Sequence, residues 1–343
     1  MSIFFDSLII ITTLDLFNKE LMVSIRKIIQ TIFFIYTIFA GIWFYVYINE
    51  LKNENYSILK PSSVEGFLPI SALLGLKRFL LTGTYDPVHP AGLTILIAAI
   101  VMSIFVKKSF CSHICPVGFL SELISNAGFR FTINRWISGF LGSVKYILLL
   151  FFLYVIFYQM SLQQIIFFQN SPYNKIADAK MLYFFLDIST TGFIVIISLI
   201  LLTYLFKNFW CRFLCPYGAL LGILSWLSPF KIKREKANCI DCQKCREACP
   251  SDIKVYNKEN IFAVNCIGCR ECAQNETAVK QHCLRMINKD RYFEKNENLL
   301  SIAATLIFLL IFIAAYFTGH WNSPVSNEEY ARFLDSIRSL SHP

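Results

Sequence analysis

The sequence predicts a mainly α-helical protein: a polytopic membrane helix bundle of about five transmembrane helices, partly built from two repeated hairpins, with a cysteine-rich α+β domain inserted on its cytoplasmic side. Three observations carry this reading. Hydrophobic residues make up 55% of the 343 and charged residues 16%, with a mean hydropathy of +0.52. The apolar residues are gathered in long uncharged runs, as lipid demands of a helix whose whole surface meets it. A stretch of apolar sequence recurs at a spacing of 100 residues, and eight of the twelve cysteines fall between Cys239 and Cys283, mostly in C-x-x-C steps. Such spacing points to metal or cluster ligation rather than to a disulfide framework.

Residues 1–27 read as an amphipathic segment lying on the membrane. The apolar stretch from Ile3 to Phe17 carries Asp6 and Asp15 and has no basic leader, unlike a cleavable signal peptide. Uncharged runs of about 20 residues, the length that crosses a ~30 Å hydrocarbon layer, then mark spans at 28–48, 88–106, 146–168, 184–206 and 299–318. The resulting domains are a four-helix membrane domain at 28–230, a cytoplasmic domain at 231–297, and a C-terminal transmembrane helix with an outer tail at 298–343.

Five spans place the termini on opposite sides. Of the 32 basic residues, 24 fall on one face, with Arg26, Lys27, Lys107 and Lys108 directly at span ends. That face is assigned to the cytoplasm and Pro343 to the periplasm of a bacterial inner membrane. The same need for basic loops accounts for the net charge of +9 and removes it as an argument for nucleic acid. Between the first two spans, Gly66 to Thr84 is apolar but interrupted by Pro69, Gly75, Lys77 and Arg78. It is expected to pack on the bundle; the sharper alternative is a lid over a lipophilic substrate such as a quinone.

The repeat aligns KKSFCSHICPVGFLSELIS, 107–125, with KNFWCRFLCPYGALLGILS, 207–225, without a gap. Cys111 and Cys211, Cys115 and Cys215, Pro116 and Pro216, and Gly118 and Gly218 coincide, which implies two parallel hairpins. Cysteines at i and i+4 share a helix face, and the following proline and glycine turn the chain. If an axis along the membrane normal relates the copies, Cys111, Cys115, Cys211 and Cys215 converge as a redox or metal thiol quartet. A small hydrophobic role for cysteine does not explain the matched Pro and Gly. Near Lys107, Lys108, Lys207 and Arg212 these thiols are expected to have lowered pKa values.

At Lys231 the apolar pattern gives way to a soluble domain. The run Cys239-x2-Cys242-x2-Cys245-x3-Cys249-Pro250 follows the bacterial ferredoxin pattern, in which the fourth cysteine serves the other cluster. With the second run, Cys266-x2-Cys269-x2-Cys272, two 4Fe-4S cubanes are expected: one on Cys239, Cys242, Cys245 and Cys283, the other on Cys249, Cys266, Cys269 and Cys272. Ten residues separate Cys272 from Cys283, where the usual pattern has three, and Leu284 replaces the usual proline. His282 is therefore the alternative fourth ligand. Zinc also accepts four thiolates, but x2 spacing followed by x3-Cys-Pro does not match paired zinc knuckles.

In these motifs and their order the chain resembles the polyferredoxins of the NapH and NosR type, and within them the YccM-like electron transport proteins. The resemblance runs from about Gly66 to Cys283 and includes FLPISALLGLKRFLLTGTYDPVHPAGL. It implies an electron carrier of the cytoplasmic membrane working with quinones or a respiratory reductase, without a catalytic site of its own. The expected partners are membrane lipid and a cytoplasmic or membrane redox protein, with quinone as a further candidate.

Haem cannot supply a transmembrane step here, because none of the five histidines lies in mid-span. His89, in DPVHPAGL, reads as part of an interfacial turn, with proton handling or quinone binding as the alternative. A second function class is a cluster-containing copper-handling factor for oxidase assembly, with the C-x-x-x-C pairs as soft ligands for Cu(I). Transcriptional control has no DNA-binding element to support it.

Overall fold

The computed structural model describes residues 25–129, 131–286, 298–334 and 337. Most of the expected interfacial segment, the 287–297 end of the cysteine-rich domain and the last residues of the tail, including Pro343, lie outside the described residues.

Helix α1, Ile25–Lys52, buries Ala40, Phe44, Tyr47, Ile48 and Leu51 along one stripe. Ile28, Ile32, Ile35, Phe39 and Ile42 stay exposed on the other face, a split that suits lipid on one side and protein on the other. A 3-10 turn at Ser62–Phe67 leads to α2, Pro69–Thr82, and α3, Pro90–Val106. Proline starts both helices, where its missing N–H costs nothing. Helix α3 is the hub of the bundle, packing against α2 and against three helices further along the chain. Ala91, Leu93, Leu96, Ala99 and Met102 within it are closed off from solvent.

The chain then turns through α4, Ser109–His113, into α5, Pro116–Ala127. Helix α6, Arg135–Leu153, continues as a π-helical turn at Tyr154–Gln159, followed by α7, Leu162–Asn170, α8, Ala177–Leu186, and α9, Thr190–Leu205. A second π-helical turn at Trp210–Leu214 leads to α10, Pro216–Leu224. Strands β1, Ile232–Arg234, β2, Asn260–Ile261, and β3, Leu284–Met286, form an antiparallel sheet in the order β2-β1-β3, with Ile232 opposite both Ile261 and Met286. Helix α11, Leu299–Phe317, returns along α3, and α12, Asn327–Leu334, closes over α1.

Among the described residues, three helical stretches are long and apolar enough to cross a membrane: Ile25–Lys52, Trp136–Gln159 and Leu299–Phe317. The first and last match the expected spans 28–48 and 299–318. The span expected at 146–168 starts ten residues earlier and stops at Gln159. There Ser161 and Gln164 form a capping box that opens α7, and the Lys77 ammonium donates to the carbonyls of Ile156, Phe157 and Met160. The span expected at 184–206 is broken: α8 and α9 meet at 82°, because Ser189 caps a new helix by accepting from the Gly192 amide at 3.1 Å. The 88–106 stretch is α3, apolar but 17 residues long. Gly66 to Thr84 packs onto the bundle through α2, against α3 and α7.

Candidate metal centres: three sets of thiols

The two C-x-x-C-x-x-C loops share one backbone design. In the first, Asp241 and Gln243 take positive φ of 51° and 60°; in the second, Gly268 and Arg270 take 69° and 61°. Each loop then enters a single helical turn, Lys244–Glu247 or Glu271–Gln274, that carries its third cysteine. A left-handed residue beside the middle cysteine curls the loop so that three thiols turn inward. Three non-glycine residues accept that conformation at a cost of about 1 kcal/mol or more each, which marks the loop shape as a requirement of the site.

The thiols group in two sets. Cys283 lies within electrostatic reach of Cys239, Cys245 and Cys242. Cys272 feels Cys249, Cys269 and Cys266 first and Cys245 after them. Burial pushes Cys249 up to about 11, and Cys283 likewise to about 11, so both thiols keep their proton at neutral pH until a metal replaces it. His282, the alternative to Cys283, has a positive φ of 48°.

The second set surrounds a cavity walled by Cys249, Cys266, Cys269 and Cys272, with Ile232 and Val255 among its apolar lining. A mostly apolar hollow with four thiols in its wall suits an iron–sulfur cubane. A single ion held by thiolates at about 2.3 Å draws its sulfurs to within about 4 Å of one another. No three of the twelve cysteine sulfurs, all of them described, lie within 4.8 Å of one another. The wider spacing is what a cluster needs, since each thiolate binds a different iron.

The structure also brings the quartet together. Cys211 is acted on by Cys215, Cys115 and Cys111, and Cys111 by Cys115 and Cys215. The Cys215 thiol accepts from the Gly218 amide at 3.2 Å, at the start of α10. For Cys111, Cys115 and Cys211 the expected lowering of the pKa is reversed. Burial pushes Cys111 up to about 12 and Cys115 up to about 11, outweighing Lys108, and Cys211 is also raised. Spacing showed the nearby cations but not how far the thiols are withdrawn from water.

The quartet and the second ferredoxin set are neighbours across one peptide. Lys107 and Lys108 are both buried, and Lys107 adopts a left-handed φ of 64°. The bend sends Lys107 toward Cys266 and Lys108 toward the quartet, where its ammonium would lie 3.1 Å from a methyl group added at Gly218. Buried Lys145, donating to Asn265, reaches both Cys215 and Cys111. These ammonium groups offset the negative charge that deprotonated thiols bring.

The cysteine-rich domain sits directly on this end of the bundle. Ser112 donates to the Ile267 carbonyl at 2.8 Å, and Lys207 to the Glu247 carbonyl at 2.7 Å. Arg26, 1% exposed, grips Glu122 in a two-pronged bond of 2.8 and 3.1 Å and Glu271 at 2.8 Å. This ties α1, α5 and the second thiol loop together. Motif reading missed the node; its signal was Glu122, the single acidic residue in the two copies of the repeat.

The family model described as a 4Fe-4S binding domain matches residues 88–143 and 188–235, the two segments that carry the quartet. The YccM electron transport protein of Escherichia coli (strain K12) is 38% identical over 328 residues, which cover 92% of this chain and 91% of that protein. The chain belongs to the NapH-type polyferredoxins. The ferredoxin-type protein NapH of the same organism is 24% identical over 73% of this chain and 83% of its own length. The regulatory protein NosR of Pseudomonas aeruginosa (strain ATCC 15692 and its equivalents) is 25% identical over 52% of this chain and a quarter of its own. No solved structure matches. A polyferredoxin of this type is an electron transport protein with a 4Fe-4S domain; two more thiol sets adjoin each other in 239–283, outside the segments that the family model matches.

Proposed function

We propose that this polyferredoxin is embedded in the bacterial inner membrane and passes electrons between a cytoplasmic redox protein and the quinone pool or a membrane reductase. Cys239, Cys242, Cys245 and Cys283 would hold one 4Fe-4S cluster, and Cys249, Cys266, Cys269 and Cys272 another. Cys111, Cys115, Cys211 and Cys215 would hold a third centre. Bound iron–sulfur clusters supply one-electron exchange, while the chain's own residues hold them and balance their charge.

The observation that carries this reading is the continuity of the three thiol sets, with the last two joined by the Lys107–Lys108 peptide. An exposed Cys242 at one end gives a soluble partner access, and the quartet at the other end abuts the bundle. The basic residues at span ends support a cytoplasmic ferredoxin domain, and the three apolar helices support the membrane location; on this reading α3 and the bent α8–α9 pair would be the other two spans. Copper handling at the quartet is the alternative reading, since soft thiolates also suit Cu(I).

Anaerobically purified protein in detergent tests this directly. Iron analysis and low-temperature EPR should show about twelve irons in three centres, all reduced by quinol or by a reduced soluble donor. About eight irons with copper at the quartet would reverse the choice. Three centres that neither quinol nor any soluble donor reduces would remove the transfer role.

A further inference from the structure

At the start of α3, about 25 Å by helix rise from its cysteine end, three ionisable side chains meet in the interior. Glu65 comes from the 62–67 turn, His89 from the residue before α3, and Asp178 from α8. They are 0%, 0% and 3% exposed, and one ligand atom from each lies within 4.8 Å of the others.

Each residue has one polar atom already committed. The His89 Nε2 is 2.7 Å from the Asn174 carbonyl oxygen, which can only accept, so Nε2 carries a hydrogen and Nδ1 is the ring nitrogen left over. Glu65 Oε2 accepts from the amides of Ala91 at 3.0 Å and Gly92 at 3.3 Å. Asp178 Oδ1 accepts from the Tyr330 hydroxyl at 2.5 Å and from the Ala179 amide at 2.9 Å. The atoms left over, His89 Nδ1, Glu65 Oε1 and Asp178 Oδ2, face one another. Lys60 places its ammonium 3.0 Å from Oε1 and 2.6 Å from Oδ2. Nδ1 has no hydrogen-bond partner; it stands 3.5 Å from Oε1, outside useful hydrogen-bond range. With the ring neutral, Nδ1 directs a buried lone pair at two carboxylates, which is unfavourable unless a cation, a proton or a metal ion, stands between them.

We propose that this is a binding site for a divalent first-row transition cation, with His89 Nδ1, Glu65 Oε1 and Asp178 Oδ2 as ligands and the Lys60 ammonium as the group the ion displaces. One imidazole and two carboxylates suit Mn2+, Fe2+ or Zn2+ and not soft Cu(I). The outer arrangement is that of a metal site: the histidine is held through its other nitrogen by a carbonyl, and both carboxylates are held by donors on their far oxygens. Lys60 enters from a loop and keeps 11% of its side chain exposed, so it can turn out to water while the three ligands stay in place. An ion here pins the 62–67 turn, α3 and α8 to each other at the end of the bundle away from the cysteines.

The test uses full-length protein with its clusters assembled, purified anaerobically in detergent and treated with chelator. Mn2+ is titrated while the free-ion EPR signal is followed. The wild type should bind one Mn2+ that Zn2+ displaces. Lys60→Met should bind roughly tenfold tighter or more, because the internal competitor is gone, and His89→Ala should lose binding with its iron content unchanged. Where His89→Ala does not fold, Asp178→Asn, which keeps the side-chain shape, should lose binding in its place. No saturable Mn2+ in either the wild type or Lys60→Met would mean that a proton occupies Nδ1 and would overturn the proposal, as would wild-type binding in folded His89→Ala or Asp178→Asn.

Discussion

The ferredoxin loops and the quartet solve the same problem, gathering thiols, by opposite routes. In the loops, three thiols come from seven consecutive residues, and two left-handed residues per loop bring them together. In the quartet, two pairs 100 residues apart meet through helix packing, and glycine-permitted close approach replaces loop curvature. A methyl group added at Gly118 would lie 2.3 Å from the Cys111 carbonyl oxygen. Three thiols of each ferredoxin set depend on one turn and only the fourth on distant packing, whereas the quartet depends on every contact that keeps α4, α5 and α10 in place. Damage far from the cysteines should therefore reach the quartet first.

The largest test of that contrast is ligand removal. Cys283→Ser should remove one ferredoxin centre, about four irons, and leave the other two, as iron analysis and EPR would show. Cys111→Ala with Cys211→Ala should remove the quartet's centre alone. Loss of all centres from either variant would mean that the two regions assemble together, and the contrast would fail.

Next in size is a difference between the twin glycines. Gly118→Ala meets backbone, which cannot yield, and should cost about 3 kcal/mol in thermal unfolding together with the quartet's centre. Gly218→Ala meets the Lys108 ammonium at 3.1 Å, the mobile end of a long side chain, and should cost under about 1 kcal/mol. Equal losses would show that the two copies are more alike than their packing indicates.

Glu122→Gln sharpens the comparison from a distance. Burial raises the Glu122 pKa, but the Arg26 and Lys27 bonds outweigh it and hold the carboxyl at about 2, below its ordinary 4.5. A depressed carboxyl stabilises the fold above its unfolded value and loses that contribution as pH falls through the folded one. The melting-temperature gap between wild type and variant should thus be full at neutral pH and close between pH 4.5 and 2. Breaking so buried a pair costs about 3 kcal/mol or more, and the quartet's EPR signal should broaden before those of the loops.

The smallest effect is expected at Arg234, which donates to the Cys239 thiol at 3.4 Å and to Asp241 at 3.0 Å. Arg234→Gln removes a cation beside an anionic centre. It should lower the reduction potential of the centre on Cys239 in an EPR redox titration and leave the quartet's unchanged.

The sequence by itself determined the elements whose information is local or repeated. Cysteine spacing marks the ferredoxin loops because their ligands sit within reach of one turn, and the gap-free repeat marks the quartet because both copies keep the same Cys, Pro and Gly. Long apolar runs located α1 and α11. A hydropathy window averages over the Ser161–Gln164 capping box and the Ser189 cap, so it ran 146–168 past its true end and joined α8 to α9.

Tertiary structure decided what depends on depth and on distant neighbours. Cys111, Cys115 and Cys211 have raised rather than lowered pKa values because desolvation, invisible in spacing, outweighs Lys108. The turn of Lys107 and Lys108 toward different thiol sets follows from one left-handed residue that no propensity foretells. Glu65, His89 and Asp178 share no motif, and only the packing of α3 against the 62–67 turn and α8 brings a lone pair and two carboxylates together, where burial removes the water that would otherwise separate them.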